Sequence, residues 1–169
     1  MSNRPSPQDG GAEDVQAVWN SMTKIRTAMM NTIHEGDSIS RPMAAHADRD
    51  EGAIYFVSEL QSGKTHDIAD ESRVNLTFAD PANSTFLSVT GTARVSQDRE
   101  KLRELWNIWA EAWLPEGPDA PNTALITVSP DDAVLWDNNS SRIVRTVQHL
   151  TAAIRQTPPD PGRVVHVEL

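Results

Sequence analysis

From Glu13 onward the apolar positions Val15, Val18, Trp19, Met22, Ile25 and Met29 fall at helical spacing, which predicts an amphipathic helix. Taken alone, this periodicity carries the helix to Met30. Ile39 to Ala47 and Ala53 to Val57 then read as strands, separated by the polar turn Asp48-Arg49-Asp50-Glu51-Gly52. Gly63 to Asp70 is a short helix. Arg73 to Ala79 and Thr85 to Ser96 form a further strand pair joined through Asp80-Pro81-Ala82-Asn83. The second of these strands alternates and carries Gly91, which marks a bulge or a close backbone approach. Asp98 is an N-cap for a helix from Arg99, whose apolar face is Leu102, Leu105, Trp106, Trp109 and Trp113, and Pro115-Glu116-Gly117-Pro118 ends it. Thr123 to Val128 and Ala133 to Trp136 are the closing strands. Ile143, Val147, Leu150 and Ile154 predict a helix over Ser140 to Arg155, and Val164 to Leu169 is a short extended tail. Many short strands with few helices indicate an α+β barrel.

Composition narrows the classes. A chain of 169 residues fits one domain, read as residues 13–169 behind a disordered N-terminal tail over 1–12 that is rich in Pro, Ser, Gly and Asn. The net charge of −9 argues against a non-specific nucleic-acid binder, which needs a basic face. There is no cysteine, so disulfides, thiolate catalysis and cysteine-ligated metals are excluded. The longest apolar runs fall short of a membrane span, and the first residues lack the apolar core of a signal peptide. The expectation is a soluble cytoplasmic protein. His34, His46, His66, His149 and His166 show no ligand-like cluster, so no metal site is expected.

The candidate chemistry sits between Ile39 and Ile68. Arg41 interrupts an alternating segment, Ser58 closes an apolar run, and Ser62, Gly63 and Lys64 open a helix. A helix start offers free N–H groups and a positive dipole end, which suit a phosphate, and an Arg and a Lys converging there add charge-assisted hydrogen bonds. A nucleotide P-loop is rejected, because it requires a glycine where Ser58 stands. The tryptophan stripe of Trp106, Trp109 and Trp113 belongs first to the core.

Ser40-Arg41-Pro42-Met43, Ile54-Tyr55-Phe56-Val57-Ser58, Ser62-Gly63-Lys64, Val74-Asn75-Leu76, Val89-Thr90-Gly91-Thr92-Ala93-Arg94-Val95, Asp98-Arg99 and Trp136-Asp137 form a series. In order and spacing it resembles the flavin mononucleotide (FMN)-binding split-barrel family, the pyridoxamine-phosphate-oxidase-like proteins, and within it the general-stress-protein-26 branch. The resemblance implies a six-stranded antiparallel split β-barrel with flanking helices. It also implies that the first helix stops near Lys24, that Arg26 to Thr32 is the first strand, and that Glu35-Gly36-Asp37 is a hairpin turn. FMN is the implied cofactor, with Arg41, Pro42, Met43, Val57, Ser58, Ser62, Lys64, Trp113 and Trp136 around it. Arg41, Ser58, Ser62 and Lys64 serve its phosphate. A homodimer with the cofactor at the subunit interface is implied, with Phe86, Leu87 and Trp113 among residues for that interface.

The departures bear on activity. Gly63 stands where the oxidases often carry arginine, so one phosphate contact is missing. Arg142 matches the arginine of their substrate-binding Arg-x-His pair and is the candidate contact for an anionic substrate, but Val144 stands at the histidine position, which speaks against vitamin B6 oxidation. The reading is an FMN-dependent oxidoreductase acting on an unidentified small molecule, with a possible link to stress and no assigned catalytic residue. A non-catalytic flavin or pyridoxal phosphate binding and storage module, and a deazaflavin-dependent reductase, are the alternatives.

Overall fold

The computed structural model describes residues 8–9, 11–137 and 163–169. The helix expected over Ser140 to Arg155, and Arg142 with it, lies outside the described residues. In chain order the elements are β1 (Gln8–Asp9), α1 (Ala12–Ile25), β2 (Thr27–His34), β3 (Asp37–Ala44), β4 (His46–Asp48), β5 (Ala53–Glu59), α2 (Gly63–Asp70), β6 (Arg73–Asp80), β7 (Thr85–Ser96), α3 (Arg99–Leu105), α4 (Ile108–Trp113), β8 (Thr123–Asp137) and β9 (Arg163–Glu168). This is an α+β architecture on a mostly antiparallel sheet. Among the described residues the sheet has nine strands rather than six. Its main path runs β1-β9-β8-β7-β6-β2-β3, and β4 and β5 attach through β8. No helix among the described residues is long and apolar enough to cross a membrane.

The first helix ends where the family pattern, and not the periodicity, places its end. Arg26 takes a left-handed conformation with φ 64°, and its N–H closes on the Met22 carbonyl at 3.0 Å. Val18, Trp19 and Met22 of α1 are buried. Beyond Arg26 the burial alternates, with Ala28, Met30 and Thr32 inward and Met29 outward, as a strand requires. Glu35 and Gly36, at φ 50° and 88°, make the two-residue turn into β3.

The expected strand over Ile39 to Ala47 is broken in two. Ala45 donates its N–H to the Arg26 carbonyl at 2.8 Å, and β4 pairs with β5 instead of β2. The two closing strands are continuous: β8 runs unbroken past Pro130. Its first half pairs with β5 and its second with β9, while β7 flanks both halves. Gly91 makes this possible. Thr90 faces Asp132 and Gly91 faces Pro130, leaving Asp131 as an extra residue that bends the ladder. A Cβ on Gly91 would stand 2.5 Å from the Ser129 carbonyl oxygen, so the two backbones touch there.

Two further expectations are corrected. The helix from Arg99 is not one rod with a tryptophan face. Asp98 caps α3 through the Lys101 N–H at 3.0 Å, as expected, but the chain turns extended at Trp106 and restarts with the Asn107 side chain accepting from the Ala110 N–H at 3.1 Å. Trp113, at its end, is 83% exposed. Val164 to Leu169 is extended as expected and joins the sheet, since β9 pairs with β8, whereas Gln8–Asp9, from the stretch expected to be disordered, pair with β9 in parallel. The main core lies between α1 and the sheet, around Met22, Met30, Ile54, Phe56, Leu76, Phe78 and Val89. A smaller cluster of Ala53, Tyr55, Leu102 and Leu125 seats α3.

Candidate functional site

The end of β5 delivers Val57 and Ser58 beside the start of α2. The Ser62 N–H donates to the Thr65 hydroxyl at 3.1 Å, which closes the cap. The first N–H groups to reach helix carbonyls are those of Thr65 and His66, both onto Ser62, so the amides of Gly63 and Lys64 precede the helix's hydrogen-bonded turns. Lys64 is half-buried and has no hydrogen-bond or ion-pair partner among the described residues. Burial lowers its pKa, the charge of Arg41 lowers it further, and Glu59 opposes the shift. An unpaired, partly desolvated ammonium next to free helix amides is an arrangement that an anion completes.

Lys64 lines one end of a cavity of about 640 Å³. Pro42, Met43, Val57, Ser58 and Trp113 line it too, so six of the residues proposed from sequence share one space. Ala44, Ala45, Ala110 and Leu114 extend the apolar wall, and Arg26, Thr27, His46, Glu59 and Asn107 complete the lining. The volume lies within the range of about 300–1,000 Å³ typical of cofactor and small-molecule sites. β3 ends the main strand path, so Pro42, which lacks an N–H, sits on an edge as its chemistry requires.

Arg41 is placed differently. Its Nη1 donates to the Thr32 hydroxyl at 2.7 Å and its Nη2 to Asp67 Oδ2 at 3.1 Å. Thr32 donates to the same carboxylate at 2.7 Å, and His34 Nδ1 lies 2.9 Å from its other oxygen. The Asp67 side chain is 1% exposed. Burial alone would raise its carboxyl pKa, but the hydrogen bonds from Thr32, His34 and Arg41, with the Arg41 charge, hold it below the ordinary value. The guanidinium still reaches the helix start, because a Cβ on Gly63 would stand 3.3 Å from Arg41 Nη2. Gly63 therefore leaves the space that Arg41 occupies. Asp67 is a functional-site residue that no motif in the sequence marks.

Trp136 does not line this cavity within the chain. With Phe86, its partner across the β7–β8 ladder, and Ile25, Thr27, Met29 and Phe78, it lines a groove of about 740 Å³. Thr27 borders both spaces. Met29, Phe86 and Trp136 are large apolar side chains left exposed there.

The fold belongs to a recognised class. Residues 13–160 match the model of the family described as pyridoxamine 5'-phosphate oxidase like, and the chain belongs to that family. The general stress FMN/FAD binding protein from Xanthomonas citri is 29% identical, with a TM-score of 0.69 over 78% of this chain and 93% of that one. A Jannaschia sp. CCS1 protein assigned to general stress protein 26 superposes over 94% of this chain and all of its own, with a TM-score of 0.76 at 22% identity, a likeness of fold. Protein bli-3 of Neurospora crassa is 30% identical over 118 residues, 63% of this chain and 56% of that protein's length.

Proposed function

We propose that this chain is a flavoprotein that holds FMN in the Lys64 cavity and acts as an oxidoreductase on a small molecule. The observation that carries the reading is the unpaired Lys64 ammonium beside the α2 amides, at the mouth of a largely apolar space. Lys64, Ser58 and the amides of Gly63 and Lys64 would receive the phosphate, with Arg41 adding positive charge from behind. Pro42, Met43, Val57 and Trp113 offer the walls for the ring system. The Xanthomonas citri relative, a general stress FMN/FAD binding protein, supports a flavin as the occupant. Bound flavin supplies the electron chemistry, and the protein's part is binding, orientation and exclusion of water.

The proposal includes a homodimer. The exposed Met29, Phe86 and Trp136 border a groove whose Thr27 also borders the cavity, so a second copy seated there would cover apolar surface and bring Trp136 toward the partner's cofactor. The test is an absorbance spectrum of the purified protein, with mass identification of anything released on denaturation. Flavin bands and the mass of FMN are expected. Protein that stays colourless after incubation with FMN would overturn the reading.

A further inference from the structure

The cavity has a second polar end. His46 pairs with Tyr55 across the β4–β5 ladder, three residues before Ser58, so at ~3.3 Å per strand residue the two ends lie ~10 Å apart. Arg26 and His46 both line this far end. Neither side chain has a hydrogen-bond or ion-pair partner among the described residues. Burial lowers the His46 pKa, and the Arg26 charge lowers it further, which favours the neutral imidazole with its one donor and one acceptor nitrogen.

Arg26 also stands where a side chain is costly. It is the left-handed cap of α1, a position that glycine fills most easily, and its carbonyl is tied to the Ala45 N–H. Arg26 keeps that conformation at the lip of the cavity. The walls between the two ends, Pro42, Met43 and Ala44, are apolar. We propose that Arg26 and His46 form a second anion subsite, which takes the carboxylate of a small apolar acid whose body rests against Ala44 and Ala45, beside the surface left to the ring system. Arg26 supplies the charge, and His46 adds a hydrogen bond. Naming this acid a substrate rests on the flavin reading above, whereas the subsite itself does not.

The test uses sodium benzoate as probe and benzamide as its neutral counterpart, on full-length protein without added cofactor. Binding is read from the NMR signals of the His46 imidazole. Benzoate is expected to shift them saturably, with benzamide at least about tenfold weaker, as loss of a charge-assisted hydrogen bond dictates. The variant Arg26→Gly suits the left-handed cap, so it is expected to be at least as stable as the wild type while losing benzoate by about tenfold or more. Equal binding of benzoate and benzamide, or unchanged benzoate binding by R26G, overturns the subsite. FMN titration in parallel separates the two proposals. Failure to bind FMN sinks the flavin reading and leaves the subsite to the benzoate data, while mutual exclusion of FMN and benzoate refutes the substrate role.

Discussion

Arg41 Nη2 donates to Asp67 Oδ2 at 3.1 Å, joining an edge strand to the buried side of the helix whose start it approaches. Asp67 thereby fixes the direction of a cation that would otherwise choose among rotamers. Asp67→Asn removes the charge that Arg41, Thr32 and His34 converge on. The expected cost is about 2–3 kcal/mol in urea denaturation, less than for a fully buried pair because Arg41 stays partly solvated.

The same carboxylate gives a pH dependence. Its folded-state pKa is held below the unfolded value, so its contribution is full above the unfolded aspartate value of ~4 and is lost as pH falls through the lower folded value. The stability gap between wild type and D67N should therefore narrow in acid. A gap that stays constant from neutral pH to pH 2 would show that the carboxylate's charge does not matter.

Gly91 tolerates no side chain. A Cβ there would lie 2.5 Å from the Ser129 oxygen, 2.9 Å from Val128 Cγ1 and 3.0 Å from Pro130 Cα, and two of those three are backbone. Gly91→Ala is expected to cost about 3 kcal/mol, at the severe end of overpacking, because the β8 backbone must move. Thermal denaturation at matched concentration measures it.

Lys64 separates stability from binding. Its charge is partly desolvated and unpaired, so Lys64→Met should leave the cofactor-free protein equally or more stable while weakening FMN by about tenfold or more. The lysine's folded pKa is depressed, so the unfolded state binds more protons at alkaline pH. The wild type should therefore gain stability relative to K64M as pH rises through the folded value toward that of a free lysine. Denaturation curves at several alkaline pH values check the sign.

The proposed dimer rests on the apolar ladder pair Phe86 and Trp136, 43% and 38% exposed. Replacing both with glutamate should yield a monomer in analytical ultracentrifugation and weaken FMN binding. A wild-type chain that is monomeric with flavin fully bound would contradict the dimer.

Much of the frame was legible because its signals are local. The bounds of α2 and β7 follow from the Ser62 cap, from alternation and from Gly91. Six proposed residues meet at one cavity because the fold carries β3, β5, α2 and α4 together. The rest depended on contacts distant in sequence. Asp67 looks like any polar helix residue until Thr32, 35 positions earlier, is seen against it. Arg26 and His46 have no motif, and only the Ala45–Arg26 hydrogen bond that breaks the expected strand brings them to one lip. The closing strands read as two because the bulge at Asp131, which joins them into one, shows only in the register of β8 against Thr90 and Gly91. Trp136, assigned to the cofactor, lines a separate groove within one chain and reaches a cavity only in the proposed dimer.

If the α2 start receives a phosphate, FMN and riboflavin, which lacks only that group, must bind with very different affinity. Fluorescence titration of the wild type should give FMN an advantage of at least about a hundredfold, as two or more charge-assisted contacts imply, and K64M should lose most of it. Equal affinity for FMN and riboflavin in the wild type would mean that no phosphate sits at the α2 start.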